Sequence, residues 1–332
     1  MIGKVLSMRN SGYFVGLILI GFCVTYPFIV DAEASYLVYF LFLTFIYVTL
    51  AQGWNLVAGY TGQVSLGQHA FFGIGCYMTA ITWRAGWTGY LDPLAMLMSG
   101  IGAALVAIVI GLPLLAKLRG DYFALGTLGL GEILRVICIN GGGLTGGAVG
   151  IGIESSAYKS MSPYYFIALL IALIALASLW LIMRSNIGLA LVAIREDEMA
   201  AAANGIGVLK YKIFAFAVGA FITALCGSLH AYYIFHIHPA GVYSLNWAIT
   251  PILMTILGGT GTFWGPILGA FILAGAFELA NIWMPELHPI FSGAFIVLVT
   301  LFLPDGIVSF FAGHRRGILR KLSLFNWIVQ KT

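Results

Sequence analysis

The densest group of charged residues lies in the stretch 184–212. Three acidic residues at positions 196–198 stand where negative charge favours a helix start, and four alanines follow them. A glycine two residues after the last alanine is a typical helix stop. The stretch predicts one short helix on a polar loop, either a solvated connection or a docking site for a partner protein. The residues assigned to this site are Arg195, Glu196, Asp197, Glu198, Ala202 and Gly205.

A second group of polar side chains accompanies two glycine-rich passages, 59–75 and 258–269. Small residues at such spacing allow helices to pack closely in a membrane, which is one interpretation. The other is a broken segment that lines a solute path, because transporters commonly bind solutes at discontinuous helices. Thr250-Pro251 and the following Gly258-Gly259 predict such a break. The pathway candidates in this group are Asn55, Gln63, Ser65, Gly67, Gln68, His69, Thr250, Gly258 and Gly259.

Two ionisable residues, Glu132 and Arg135, lie three apart in an apolar segment. This spacing places them on one helix face, where they can pair. Ionisable groups at membrane depth are costly and are functional candidates by default. We interpret the pair either as a self-neutralising structural element or as part of the pathway.

The sequence lacks the motifs of common enzymes, namely G-x-S-x-G, H-E-x-x-H and Walker A. A glycine cluster at 141–152 has no Gly-Lys-Ser/Thr ending, so we interpret it as a flexible loop. His236 and His238 have no neighbouring residue that completes a metal site. The four cysteines lie in apolar segments without a C-x-x-C pair, which predicts reduced, buried thiols. We therefore expect no catalytic residue, no metal and no cofactor on this chain.

The composition predicts an all-α integral membrane protein. Of 332 residues, 61% are hydrophobic and 8% are charged, whereas a soluble domain carries about 25% charged residues. About 20 apolar residues cross a bilayer, and the sequence predicts a polytopic bundle of about ten spans, within a range of eight to ten, with broken or re-entrant segments. The first predicted span, 12–30, could instead be a cleaved signal peptide, although its length favours a retained helix. The spans are 12–30, 37–58, 64–83, 94–115, 122–139, 164–183, 213–235, 247–258, 266–283 and 290–310.

The basic residues predict the orientation of these spans. With a cytoplasmic N-terminus, thirteen of the 16 Lys and Arg residues fall inside, Arg84 and Lys159 fall outside, and Arg135 lies within a span. This asymmetry agrees with the positive-inside rule. We therefore expect a single transmembrane domain over 1–332 with both termini, the 184–212 loop and a basic tail at 312–332 in the cytoplasm. The net charge of +4 is no sign of nucleic-acid binding, since the basic residues flank apolar spans.

Several separated blocks, in the same order, resemble the branched-chain amino acid permease family of ABC importers and its LivM-type subunits. The resemblance runs from about residue 50 to 310. The blocks are Trp54-Asn55-Leu56 leading into Gly62 to Gly67, Arg119 to Ala124 with Gly131-Glu132-Ile133, Leu144 to Gly147, Ala193 to Gly205, Leu257 to Thr262 with Trp264-Gly265-Pro266, and Leu303 to Gly306.

The resemblance implies an importer permease fold in a bacterial cytoplasmic (inner) membrane. It implies a dimer with a second permease subunit, either identical or similar. Two cytoplasmic ATP-binding subunits, which hold ATP and Mg, would dock on the 195–205 helix. An extracytoplasmic substrate-binding protein would deliver the solute, and the docked helix would act as a rigid lever.

The chain departs from the family pattern at Thr250-Pro251, where many relatives carry an acidic residue, and at Gln68-His69 and Cys76. Urea, short amides or other amino acids are therefore alternatives to branched-chain amino acids. A secondary transporter without an ATPase is the other alternative. The acidic, glycine-terminated loop favours the importer, and the scarcity of carboxylates within the spans argues against a proton-coupled carrier.

Overall fold

The computed structural model describes residues 21–118, 120–154 and 158–283, together with 293–294, 297 and 306–308. Helices dominate these residues, and residues 21–29 are also helical. The longer elements are α1 (Tyr36–Trp54), α2 (Gln68–Arg84), α3 (Pro93–Lys117), α4 (Asp121–Asn140), α5 (Ser162–Arg184), α6 (Asn186–Glu196), α7 (Glu198–Ala203), α8 (Val208–Ile234), α9 (Asn246–Gly258) and α10 (Gly265–Trp283). Single turns at Gly142–Thr145 and Pro239–Val242 and two-residue strands, β1 (Ile151–Gly152) and β2 (His236–Ile237), complete them.

Seven helical segments in the described part of the chain are long and apolar enough to cross a membrane. They correspond to seven of the predicted spans, and the all-α polytopic membrane fold is confirmed. Of the predicted span 12–30, only residues 21–29 are described as helix, and most of the span 290–310 lies outside the described residues.

The predicted span 64–83 is a shorter helix than expected. α2 has 17 residues and begins at Gln68, because residues 62–67 form no regular secondary structure. The segment nevertheless runs from one end of the molecule to the other. Gly62 lies beside Arg195 of α6, whereas Arg84 donates hydrogen bonds to the carbonyls of Gly143 and Leu144 in the loop after α4.

Helices α1 and α8 form the centre of the bundle, since most of each is buried. α3, α4 and α5 lie around them and expose many apolar side chains, such as Val109, Leu125 and Leu181. An apolar exterior of this kind is suited to contact with lipid acyl chains.

Helices α2 and α8 cross in close backbone contact. A Cβ atom on Gly75 would overlap the carbonyl oxygen of Ala224, and one on Gly227 would overlap that of Phe72. The Cys76 thiol donates to the Gly227 carbonyl at 3.1 Å. Glycines therefore let the two backbones touch, as small residues commonly do between membrane helices.

The glycine-rich loop 141–152 contains two short regular elements. β1 pairs with β2 antiparallel, Ile151 opposite Ile237 and Gly152 opposite His236. Together with the Gly142–Thr145 turn, this pairing gives part of the loop regular structure, and its flexibility stays a prediction. Among the described residues, no group of three His, Cys, Asp or Glu side chains lies close enough together to hold a metal ion. Cys76, Cys138 and Cys226 are buried and, like the half-buried Cys23, form no disulfide.

We predict that Gly227→Ala lowers the free energy of unfolding by about 1–3 kcal/mol, because the added methyl overlaps backbone that cannot move aside. The matched control is Gly129→Ala on α4, where a Cβ meets nothing within 4 Å. That change should be neutral or slightly stabilising, since alanine favours helices. Thermal unfolding of the two purified variants in detergent gives the comparison, and equal melting temperatures would contradict the close crossing.

Candidate translocation site and coupling loop

The two glycine-rich passages are both interruptions of membrane helices. α1 ends in a π-turn at Asn55–Gly59, and residues 62–67 are non-helical before α2 begins. α9 ends at Gly258, and Gly259 has φ +121°, a conformation that disfavours any residue with a side chain. The predicted broken segments are therefore present at both passages.

The sequence predicts that Thr250-Pro251 is part of the second break, but the structure places the break after this pair. α9 continues through Pro251. A proline inside a helix removes one backbone hydrogen bond, and here the helix tolerates that loss. Thr250 is half-buried on α9 before the interruption.

Asn55 joins the two interruptions. Its side chain donates to the carbonyl of Thr262 at 2.9 Å and accepts from the amide of Gly261 at 2.8 Å. The residue is fully buried, so both backbone groups depend on it for their hydrogen bonds. We call this contact of Asn55, Gly59, Gly261 and Thr262 the Asn55 junction.

Two further features hold the Asn55 junction together. Gln52, one helical turn before Asn55, donates to the carbonyl of Phe263 at 2.8 Å. A Cβ on Gly59 would overlap the Asn55 side chain and approach the Gly261 nitrogen to 2.7 Å. Glycine is therefore required where the two chain segments meet.

Arg195 connects the Asn55 junction to the loop at 184–212. Its Nη1 donates to the carbonyl of Gly59 at 2.7 Å. The guanidinium also packs on Gly261, where a Cβ would overlap it. One side chain thus contacts both interruptions from the loop, which we call the coupling loop.

The coupling loop forms two helices rather than the single predicted one. α6 ends at Glu196 and α7 begins at Glu198, with Asp197 extended between them. The Asp197 carboxylate accepts from the amides of Met199 and Ala200 at 2.8 and 3.0 Å and so caps α7. The acidic residues were correctly placed at a helix start, but Glu196 ends the preceding helix. Gly205, with φ +82°, follows the end of α7 as predicted.

An ion pair fixes α7 to the start of α8. The Lys212 ammonium lies 2.6 Å from a carboxylate oxygen of Glu198, and the Lys212 side chain is 1% exposed against 26% for Glu198. A buried ammonium needs such a partner. Glu198 is thus part of the fold as well as of the coupling loop.

The outer surface of the coupling loop is open to a partner. Glu196 and Ala202 are exposed. So are the large apolar side chains of Leu189 and Met199, at 71% and 68%. Exposed apolar residues beside charges are typical of protein contact surfaces.

The stretch from Gln63 to His69 places polar groups inside the bundle. Gln63, Ser65 and Gly67 are buried, whereas Val64 and Leu66 between them are more exposed. Gln68 donates to the Leu50 carbonyl at 2.6 Å and to the Thr223 hydroxyl at 3.0 Å. We call residues 63–69 the polar stretch.

Three buried polar atoms of the polar stretch have no hydrogen-bond partner within the described residues. They are Oε1 of Gln63, Oε1 of Gln68 and Nε2 of His69. A narrow cavity of about 20 Å³ touches Ser65 and Gln68 and has room for about one water molecule. Buried polar atoms without partners are rare, so a group outside the protein chain is expected to satisfy them.

Glu132 and Arg135 form the predicted pair, with 2.7 Å between Arg135 Nη2 and the Glu132 carboxylate. Both side chains are over a third exposed and lie outside the polar stretch. Their neighbour Gly131 faces His69, since a Cβ there would overlap the imidazole. The pair is therefore on the outer surface of the described bundle.

Sequence reasoning missed Gln52, Thr223, Thr262 and Lys212. Gln52 was detectable, because it precedes Asn55 by three residues and shares its helix face. Lys212 was counted only as a cytoplasmic charge. Thr223 and Thr262 carry no local signal, since their partners lie far away in the sequence.

The described chain is a polytopic helical bundle with two interrupted helices, and Arg195 of the coupling loop contacts both interruptions. This architecture fits a membrane permease. The family model described as "Branched-chain amino acid transport system / permease component" matches residues 36–300. This match covers most of the chain, and the protein belongs to that family.

Individual relatives agree with the family match. The high-affinity branched-chain amino acid transport system permease protein LivM of Escherichia coli (strain K12) is 29% identical, with 91% of this chain and 76% of the relative covered. A probable LivM protein of Methanocaldococcus jannaschii is 26% identical over 65% of this chain and 67% of its own length. The autoinducer 2 import system permease protein LsrC of Yersinia pestis is 32% identical over 45% of this chain and 43% of its own length. No solved structure matches the chain.

We predict that Asn55→Ala opens the Asn55 junction. The Gly261 amide and the Thr262 carbonyl lose their partners, at a cost of about 1–3 kcal/mol for each unsatisfied group. Hydrogen exchange of the Gly261 amide should accelerate. Asn140→Ala is the control, because Asn140 is exposed and donates only within its own helix. Unchanged exchange at Gly261 in Asn55→Ala would contradict the bridging role.

Proposed function

We propose that this chain is the permease subunit of an ATP-driven importer that moves branched-chain or related amino acids across the bacterial cytoplasmic membrane. The family match supports the transport role. The observation that carries the mechanism is Arg195, which contacts both helix interruptions from the coupling loop. A secondary transporter has no need of a loop that is exposed on one side and bonded to its helix breaks on the other.

The polar stretch is the proposed lining of the solute path. Its unpaired atoms on Gln63, Gln68 and His69 are free to bond water or the polar part of a solute. Discontinuous helices supply such sites in other transporters. Ser65 and Gly67 belong to the same stretch, and Asn55, Gly258 and Gly259 lie at the two helix interruptions. Thr250, Glu132 and Arg135 have a weaker claim, because Thr250 precedes the second interruption and the charged pair lies on the outer surface.

Coupling is proposed to proceed through rigid contacts. α7 cannot move independently of α8 while Glu198 and Lys212 are paired. α6 cannot move independently of the Asn55 junction while Arg195 bonds Gly59. A displacement of the coupling loop by a partner therefore shifts both interrupted segments together.

The proposed partners are a second permease subunit, two cytoplasmic ATP-binding subunits that hold ATP and Mg, and an extracytoplasmic substrate-binding protein. The chain itself has no proposed catalytic role. Both termini are proposed to be cytoplasmic. The test is purification of the protein from its native host, which should bring down an ATP-binding subunit. A chain that purifies alone and moves leucine into liposomes without ATP would overturn the importer proposal.

We predict that Glu196→Lys reduces both recovery of the ATP-binding subunit and ATP-driven leucine uptake, while the melting temperature stays unchanged. Glu196 is exposed, so its reversal alters the contact surface alone. Normal recovery and uptake in this variant would contradict the docking role.

Glu198 provides the comparison for that experiment. Glu198→Lys should also lower stability, on the order of 2–3 kcal/mol, because it leaves the Lys212 ammonium buried opposite a like charge. The exchange Glu198→Lys with Lys212→Glu should recover much of that loss. A single reversal at Glu198 therefore tests folding and docking together.

We predict that Arg195→Gln uncouples ATP hydrolysis from solute uptake. The ATP-binding subunit should still bind and hydrolyse ATP, whereas uptake per ATP should fall about tenfold, which corresponds to one lost charge-assisted hydrogen bond. The control is Lys210→Gln, which removes one exposed positive charge from the same loop. Equal uptake per ATP in the two variants would contradict the coupling role of Arg195.

A further inference from the structure

A cavity of about 380 Å³ opens at the end of the molecule opposite the coupling loop. Four tyrosines line it, together with Glu33 and small residues of the 32–35 segment. We call it the tyrosine cavity. Its tyrosines are Tyr36, Tyr39, Tyr158 and Tyr233.

The tyrosine cavity lies where three spanning helices reach the edge of the bilayer. Tyr36 is the first residue of α1, Met161 directly precedes α5, and Tyr233 is one residue from the end of α8. The ends of spanning helices lie at the level of the lipid headgroups, where tyrosine is enriched. The tyrosine cavity is therefore accessible to headgroups as well as to water-borne solutes.

The Glu33 carboxylate is held in place at the tyrosine cavity. The Tyr158 hydroxyl donates to its two oxygens at 3.1 and 2.9 Å, and the Met161 amide donates to Oε1 at 2.7 Å. An ionised carboxylate has about four acceptor positions. Within the described part of the chain, Oε2 accepts only the shared bond from Tyr158, so it keeps capacity for a further donor.

The tyrosine rings favour a cation in the same space. The ring centroids of Tyr36 and Tyr39 are 6.2 Å apart, and those of Tyr39 and Tyr233 are 6.3 Å apart. Aromatic faces attract an ammonium group within about 6 Å. Burial and the neighbouring Glu33 carboxylate raise the pKa of Tyr158, which therefore remains a neutral donor at physiological pH.

The local charge also favours a cation. Asp31 and Glu33 carry negative charge beside the tyrosine cavity, and Lys159, next to Tyr158 in the chain, is the basic residue of this segment. Among the described residues that line the cavity, none is a lysine or an arginine. A ligand with a donor-rich positive group can therefore meet both an acceptor and several ring faces.

We propose that the tyrosine cavity binds a primary ammonium group, which a zwitterionic lipid headgroup such as phosphatidylethanolamine would supply. A free amino acid carries the same group and is the second possible source. The inference rests on the geometry of the cavity and is independent of the importer proposal, since it concerns the purified chain without ATP or an ATPase.

Native mass spectrometry of the full chain tests the proposal, with phosphatidylethanolamine and phosphatidylglycerol of equal chain length as probes. Both lipids carry a phosphate, but only the first carries an ammonium group. We expect the unmodified protein to retain phosphatidylethanolamine at least about fivefold better. Glu33→Gln, which keeps an acceptor for Tyr158 and Met161, should bring the ratio close to one. Asp31→Asn, which removes a nearby charge that does not line the cavity, should lower the ratio less than Glu33→Gln does.

Tyr36 gives a second variant that does not disturb the core, because its ring is exposed. Tyr36→Leu should reduce the preference, and Tyr36→Phe should keep it. Addition of leucine to the lipid-bound protein distinguishes the two sources of the ammonium group. Displacement of the lipid would assign the site to free amino acids, and retention would assign it to the headgroup. Both results support an ammonium site. Equal retention of the two lipids by the unmodified protein, or an unchanged ratio in Glu33→Gln, would overturn the proposal.

Discussion

The hydrogen bonds of one buried amide side chain hold the functional part of this permease together. Asn55 satisfies backbone groups of a segment 206 residues away in the sequence. Without it, two broken helix ends would meet inside the protein with unsatisfied donors and acceptors, which is costly for buried polar groups. The glycines at 59 and 261 permit the approach, and Arg195 completes it from the coupling loop. The positions of the polar stretch, the second break and the loop all depend on this contact.

Local sequence patterns predicted the individual helices and interruptions better than the tertiary contacts between them. Long apolar runs and positive flanks gave the spans, and glycine runs marked both interruptions. The pairing of Asn55 with Gly261 has no local signature, because it depends on how distant helices pack. Pro251 illustrates a different failure: its position predicts a helix break, but α9 continues through it and ends at Gly258, before Gly259 with its positive φ. The sequence does not predict the separation of α6 from α7 at Asp197. The three adjacent acidic residues indicate one helix start, and the residues on both sides of Asp197 favour helix.

In the proposed coupling mechanism, the coupling loop has two physical roles that conflict on a single helix. Its outer face would be exposed to contact a partner, and its inner face would be fixed to transmit force. The extended residue Asp197 separates α6 from α7, so that Arg195 is directed to the Asn55 junction while Glu198 is directed to Lys212. Each short helix therefore has its own attachment, and the exposed residues between the attachments remain open to a partner.

The contact between α2 and α8 also has a consequence for biogenesis. α2 carries Gln68 and His69 near its start, is only 17 residues long and touches α8 through bare backbone. The ribosome completes α2 long before α8 exists, so these polar groups enter the bilayer without Thr223, their eventual neighbour on α8. Such a helix is a poor candidate for independent insertion by the translocon. Its stable placement must await the synthesis of α8, which makes the middle of the chain, rather than its first helices, the point at which the nascent permease becomes committed to its final topology.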